Sequence, residues 1–123
     1  MKGNILVLDD ERDILNLVKI ILTQNGYNVL TVSTINEFYK MLGESIDLIL
    51  LDDVMPVKTG IEICRELKNQ PETADIPVII FSASGSSGKK EAAIDAGADE
   101  FLLKPFSIAQ ITTSVSKHYP LNC

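Results

Sequence analysis

The chain has 123 residues, of which 46% are hydrophobic, and a formal net charge of -6 at pH 7. This length corresponds to one ordinary domain, and the apolar content is too high for a disordered chain. The sequence contains no run of about 18 apolar residues, so no membrane-spanning helix is predicted. The acidic balance argues against direct binding of nucleic acid, which normally requires a basic patch.

The two cysteines, Cys64 and Cys123, are expected to be reduced thiols. A domain of this size folds without a disulfide, and reduced cysteines are typical of the cytoplasm. Cys64 lies within a helical pattern and is predicted to be a small core residue. We therefore expect a cytoplasmic protein.

The N-terminal part of the chain alternates strand-like and helix-like segments. Residues 5–8 form a continuous apolar run, which is typical of a strand covered on both faces. A helical pattern follows and ends at Asn25-Gly26, a common C-cap signal of helices. Residues 27–32 predict a second strand. Thr34 and Glu37 have the spacing of a capping box, so a second helix should begin there.

The same alternation continues to the C-terminus. Further strands are predicted over residues 48–51, 78–81 and 101–103, and further helices over about 60–69, 89–96 and 107–118. Five strand–helix units in succession predict an α/β protein with a parallel sheet covered by helices on both faces. Because no linker or repeat interrupts them, residues 1–123 are predicted to form a single domain.

Polar side chains follow four of the five predicted strands. Asp9 and Asp10 follow the first strand, Asp52 the third, Ser82 the fourth and Lys104 the fifth. Ligands of open parallel sheets bind outside the carboxyl ends of the strands. With the strand order 2-1-3-4-5, these four strands are neighbours, and their polar residues converge on one rim.

Three carboxylates at one rim repel one another. At about 4 Å, each like-charge pair costs roughly 1 to 4 kcal/mol between the bulk-water and near-surface dielectric limits. A hard divalent cation removes that repulsion, and carboxylates, carbonyls and water are the ligands that Mg²⁺ prefers. Together with a lysine and a hydroxyl, such a site can hold a phosphoryl group during transfer, with an aspartate as nucleophile.

Segments typical of one protein family occupy the ends of these strands in the expected order. They are Leu8-Asp9-Asp10-Glu11, residues 47–52, Met55-Pro56 with Gly60, Phe81-Ser82-Ala83 and residues 97–106. Each is common by itself, but their order and spacing together are specific. On these segments the chain resembles the receiver domains of two-component response regulators over essentially its whole length. The resemblance implies the flavodoxin-like (βα)5 fold, a doubly wound parallel sheet.

The resemblance also implies a role for each residue at the acidic end of the site. Asp52 corresponds to the phosphoacceptor, since Met55 lies three positions after it. The metal ligands would be Asp9, Asp10, Asp52 and the backbone carbonyl of Val54, with Asp9 acting largely through water. The implied cation is Mg²⁺, with Mn²⁺ as an alternative.

The remaining roles fall on the last two strands. By resemblance, Ser82, Ala83 and Lys104 would contact the phosphoryl group, and Ser82 and Phe101 would switch between two states. Phe101 can equally be read as a core residue. In this family the bond between Lys104 and Pro105 is commonly cis, so it is a candidate cis peptide.

The sequence departs from the family pattern in two places. Val54 and Ser84 occupy the positions whose side chains influence dephosphorylation. Valine cannot orient an attacking water, and serine does so less firmly than a carboxylate, so we expect a long-lived phosphoryl-aspartate. Asp53 is an extra carboxylate beside the acceptor, but choosing it as acceptor shifts the Met-Pro spacing by one residue. We interpret Asp53 as a solvated loop acid and Lys89 as part of a solvated helix start.

The resemblance implies partners and an activity. The donor would be a sensor histidine kinase or a histidine phosphotransfer protein, and the only reactions catalysed would be the domain's own aspartyl phosphorylation and dephosphorylation. An unknown output partner or domain would use the face made by the fourth helix, fifth strand and fifth helix, and phosphorylation could drive homodimerisation. Neither membrane binding nor direct nucleic-acid binding by this chain is expected.

Three alternative functions fit the sequence less well. An aspartyl phosphatase resembling the haloacid-dehalogenase class needs a second aspartate where Val54 stands. A flavin- or nucleotide-binding module needs a phosphate loop rich in glycine, serine or threonine after the first strand, where this chain has acids. A degenerate receiver that serves only for docking would lack chemical residues that are all present here.

Overall fold

The structure, a computed structural model, describes residues 3–83 and 88–119. Strands and helices alternate along this part of the chain, as predicted. The strands are β1 (Asn4–Leu8), β2 (Asn28–Val32), β3 (Leu48–Asp52), β4 (Val78–Ser82) and β5 (Glu100–Leu103). The helices are α1 (Arg12–Gln24), α2 (Ile35–Met41), α3 (Gly60–Lys68), α4 (Lys89–Asp95) and α5 (Ile108–His118).

All five strands are parallel and lie in the order β2-β1-β3-β4-β5, which confirms the predicted topology. The register aligns the carboxyl ends: Leu8 lies beside Leu51, and Asp52 lies beside Phe81. These ends form one rim of the sheet, from which the polar residues project. In the described ranges, no helix combines the length and hydropathy needed to span a membrane.

The sheet separates two hydrophobic clusters, because alternate strand residues point to opposite faces. On one face, Ile5, Val7 and Leu50 pack among side chains of α1 and α5. On the other, Leu6 and Leu51 pack among side chains of α2, α3 and α4. Each such Leu or Ile contributes roughly 1.5 to 3 kcal/mol by leaving water, so the central strands anchor the rim.

Cys64 is a buried core residue of α3, as predicted. Its thiol donates a weak hydrogen bond to the Ala96 carbonyl, with 3.7 Å between Sγ and the oxygen. Burial raises the pKa of this thiol to about 11, so it remains protonated at neutral pH. Cys123 lies outside the described residues.

Helices α3 and α5 begin with capping boxes, whereas α4 does not. Thr59 and Ser107 each accept a hydrogen bond from the backbone of the third helical residue, whose side chain accepts one in return. Gly88 precedes α4 in a left-handed conformation, with φ of 86°, and has no side chain to cap the helix. The start of α4 must therefore be held by other contacts.

Candidate functional site

Three aspartates meet at the rim of the sheet. One oxygen each from Asp9, Asp10 and Asp52 lies within 4.8 Å of the others. Asp9 and Asp52 are buried, whereas Asp10 is exposed. Oxygen donors in this number suit a hard divalent cation, which prefers carboxylates and water. The residues at the rim therefore fit the Mg²⁺ that the resemblance implies, with Mn²⁺ as an alternative.

Lys104 enters the same cluster from the end of β5. Its Nζ lies 2.8 Å from Asp9 Oδ2, 3.3 Å from Asp52 Oδ1 and 3.4 Å from Glu11 Oε1. Burial alone would lower the pKa of Lys104, but the hydrogen bond to Asp9 and the charge of Asp52 raise it overall. One ammonium does not balance this many carboxylates, which leaves negative charge for a divalent cation to neutralise.

Asp52 has an unusual acidity in this setting. Burial and then the Asp9 charge raise its pKa from 3.8 to about 7, against the opposing effect of Lys104. Without a cation, the carboxyl therefore takes up a proton near neutral pH. A bound divalent cation would favour the ionised form, which is the nucleophilic one.

Ser82 and Lys104 are brought together by the pairing of β4 with β5. Ser82 is the last residue of β4, is fully buried and lies beside Leu103 in register. Beyond the strand end, the Lys104 N–H donates to the Ser82 carbonyl with an N···O distance of 2.8 Å. Ala83 follows and is exposed. The predicted phosphoryl-binding residues thus sit at the ends of β4 and β5, on the same rim of the sheet as Asp52.

The loop after β3 folds tightly back onto Asp52 and Asp53. The Gly60 N–H donates to the Asp53 carbonyl at 3.0 Å. A Cβ at position 60 would lie 2.6 Å from the Asp52 carbonyl oxygen, so only glycine fits there. Val54, in this loop, has a side chain that is 59% exposed at the rim. This close approach explains why a glycine follows the Met-Pro pair.

The other predicted residues lie on or near β5. Phe101 is half-buried, beside Ile80 in register, and packs against the core cluster on the α3 face. Its packing agrees with a core role, and its switching role stays a prediction. The bond between Lys104 and Pro105 is cis, as the resemblance implies. Ser84 lies outside the described residues.

The interpretation of Asp53 as a solvated loop acid is wrong, and Lys89, which begins α4 as predicted, is its ion-pair partner and not merely a solvated residue. Asp53 is fully buried, and the Lys89 Nζ lies 2.5 Å from its Oδ2. The Asp53 Oδ1 also accepts a hydrogen bond from the Ile61 N–H at 3.2 Å. Neighbouring residues in extended backbone point in opposite directions, so Asp53 turns away from the cluster that Asp52 joins. The sequence gives no local signal of this pair, because its two members lie far apart along the chain.

Comparison with known proteins gives a consistent result. Residues 5–116 match the family described as response regulator receiver domain. The transcriptional regulatory protein CpxR of Klebsiella pneumoniae is 36% identical over 113 residues, 92% of this chain and 47% of that protein. The phosphate regulon transcriptional regulatory protein PhoB of Pseudomonas aeruginosa is 36% identical over 104 residues, 84% of this chain and 45% of that protein. The chain thus spans about half the length of these curated relatives.

Solved structures agree with the topology described above. The chemotaxis protein CheY4 of Vibrio cholerae superposes with a TM-score of 0.88 at 27% identity, covering 96% of this chain and 99% of that one. The receiver domain of the Francisella response regulator 1452 gives a TM-score of 0.88 at 30% identity, covering 96% and 97%.

Proposed function

Since this chain belongs to the family of response regulator receiver domains, we propose that it accepts a phosphoryl group on Asp52 in a reaction that requires Mg²⁺. The observation that carries the proposal is the cluster of Asp9, Asp10 and Asp52 with Lys104 shared between Asp9 and Asp52. Asp53 takes no part in this cluster and is bound elsewhere, which supports Asp52 as the acceptor.

The chemistry follows from the groups at the rim. A carboxylate oxygen of Asp52 forms a bond to phosphorus while the bond from phosphorus to the donor's imidazole nitrogen breaks, and the imidazole leaves with the electron pair. Lys104 and the Ser82 hydroxyl would donate hydrogen bonds to the phosphoryl oxygens. When bound, Mg²⁺ would offset the repulsion among the carboxylates and the phosphoryl oxygens. The Val54 carbonyl is proposed as its further ligand.

The lifetime of the product should be long. Val54 is exposed at the rim and offers only methyl groups to a water that approaches Asp52. Such a side chain cannot accept or donate a proton, so hydrolysis lacks orientation from this position. The same expectation for Ser84 stays a prediction. The chain would thus catalyse only its own phosphorylation and, slowly, its dephosphorylation.

The partners are proposed from the family. The donor is a sensor histidine kinase or a histidine phosphotransfer protein. For output, we propose the face made by α4, β5 and α5, where Ile94, Leu103 and Ile108 are exposed apolar residues. A homodimer on phosphorylation would use the same face. A cytoplasmic location, without direct binding of nucleic acid by this chain, stays a prediction.

Intact mass after incubation with acetyl phosphate and Mg²⁺ tests the proposal. We expect one added phosphoryl group, which is lost when the metal is chelated and lost in Asp52→Asn. Asp53→Asn is the matched control, since it makes the same change at the next residue and should keep the adduct. An adduct that persists in Asp52→Asn, or that forms equally with chelator, would overturn the proposal.

A further inference from the structure

Asp53 is held in place by its backbone and its side chain. Its N–H donates to the Phe81 carbonyl at 3.0 Å, and its own carbonyl accepts from the Gly60 N–H at 3.0 Å. The side-chain Oδ1 accepts from the Ile61 N–H at 3.2 Å. With no exposed surface, this carboxylate cannot turn towards solvent to lower the cost of its charge.

Lys89 supplies the charge that balances Asp53. Its Nζ lies 2.5 Å from Oδ2, and its side chain is 27% exposed, against 0% for Asp53. Among the described residues, that oxygen has no hydrogen-bond partner, so this ion pair is what compensates it. Lys89 is also the first residue of α4, so the ion pair connects the start of this helix, which has no capping side chain, to the loop after β3.

The pair lies close to the reaction. Asp53 directly follows Asp52, and consecutive Cα atoms are about 3.8 Å apart. Its charge therefore acts on the acceptor from within about 10 Å, the screening length at ordinary ionic strength. An incoming phosphoryl group is negatively charged and would be repelled by an unbalanced carboxylate at this distance.

We propose that Lys89 is a positioning residue for phosphorylation, which acts through Asp53 by cancelling the charge beside the acceptor and so admits the phosphoryl donor. The inference rests on the function proposed above. It extends that function to a lysine outside the segments that carry the family resemblance. Lys89 begins α4, whereas Ser82 ends β4, the strand before it.

The test measures the initial rate of phosphorylation by acetyl phosphate, with intact mass as the readout. The donor is kept below saturation, and Mg²⁺ is saturating. Saturating metal removes any effect of the variants on cation affinity. Lys89→Met should slow the reaction and Asp53→Asn should accelerate it, each by about two- to fifteen-fold, the range for one unit charge at about 10 Å. The double variant should return close to the wild-type rate, and Lys89→Arg should retain it.

Two controls separate charge at this pair from general effects. Lys90→Met makes the same change in net charge on an exposed neighbour that forms no ion pair with the described residues, and should alter the rate less than twofold. Raising the ionic strength from about 0.05 to 0.5 M should reduce the differences in rate among the variants, because the screening length becomes shorter. Far-UV circular dichroism and thermal melts verify that each variant is folded.

A merely structural pair gives a different pattern. Both single variants would then slow the reaction, and salt would not bring their rates together; that result would overturn the inference. Should Lys89→Met fail to fold, Asp53→Asn still decides, since the amide keeps the shape of the carboxylate. A phosphorylated wild type with equal rates in all variants overturns this inference alone. A wild type that takes no phosphoryl group overturns the proposed function and this inference with it.

Discussion

At the scale of single residues, burial and the charge of Asp9 make the ionised form of Asp52 unfavourable in the folded protein. Its pKa rises from 3.8 to about 7, first through burial and then through Asp9. The folded state therefore binds a proton that the unfolded state releases between about pH 4 and 7. Because the folded state holds more protons in this window, the contribution of Asp52 to stability falls as pH rises through it and stays unfavourable above pH 7.

Asp52→Asn should therefore stabilise the protein at pH 8 in metal-free buffer. The expected gain is on the order of 2 to 4 kcal/mol, which corresponds to the change in pKa, and it should fade towards pH 4. Urea unfolding at both pH values, with a chelator present, measures the difference in free energy. Equal stabilities of the two proteins at pH 8 would show that the carboxylate is not destabilised by its surroundings.

Val57 carries local backbone strain in the loop after β3. Its φ is 76°, a conformation that β-branched residues rarely adopt, and its side chain is fully exposed. Val57→Gly should stabilise the protein by about 0.5 to 2 kcal/mol, since the strain relieved exceeds the entropy that glycine loses. Val54→Gly, an exposed valine in the same loop without a positive φ, should not stabilise. Urea unfolding of both variants measures the change in the free energy of unfolding. A loss of stability in Val57→Gly would contradict this account.

At the scale of elements, Lys68 joins the end of α3 to the segments that lead into β4 and β5. Its Nζ donates to the Ile76 carbonyl at 2.7 Å and the Ala74 carbonyl at 3.2 Å. It also forms an ion pair with Asp99, at 3.2 Å, whose carboxylate accepts from the Val78 N–H. This one ammonium thus connects α3 with the entrances to β4 and β5.

Lys68→Met should destabilise the protein by about 1 to 3 kcal/mol, because two carbonyls and one carboxylate lose their donor. Lys19→Met, on the exposed face of α1 and without an ion pair among the described residues, should change stability by less than about 0.5 kcal/mol. Urea unfolding compares the two. Similar effects of the two changes would mean that the Lys68 contacts contribute nothing particular.

Element boundaries could be predicted because their signals are local. Thr34 accepts a hydrogen bond from the Glu37 N–H as its spacing predicts, and the Glu37 carboxylate accepts one from the Ser33 N–H. The convergence of Asp9, Asp52 and Lys104 could also be predicted, since parallel strands bring their carboxyl ends to one edge. The Asp53–Lys89 pair could not, because the direction of a side chain beyond a strand end is set by packing between distant elements.

For the whole molecule, the acidic rim should couple the free energy of unfolding to the concentration of the proposed cation. A cation that binds only the folded state stabilises it by about 2.7 kcal/mol at a hundred times its Kd. Protons compete for Asp52, so this gain should weaken as pH falls below about 7, the pKa of that group without metal.

Asp10→Asn should remove most of the stabilisation by Mg²⁺ while changing the metal-free stability little, because Asp10 is exposed. Asp95→Asn, which neutralises an exposed acid on α4, should keep the full effect. Thermal unfolding with MgCl₂ and with chelator measures both. An undiminished Mg²⁺ shift in Asp10→Asn would place the cation elsewhere.

The strand pairing that continues past the rim has a consequence for local opening. The amide N–H groups of Asp53 and Lys104 donate hydrogen bonds to the Phe81 and Ser82 carbonyls, respectively. Asp53 and Lys104 nevertheless lie beyond the ends of β3 and β5. Their exchange with deuterated solvent should be as slow as that of the central strands and should require global unfolding. The backbone around Asp52 is then among the last parts of the protein to open, so a response to the proposed phosphorylation would have to begin in side chains and connections.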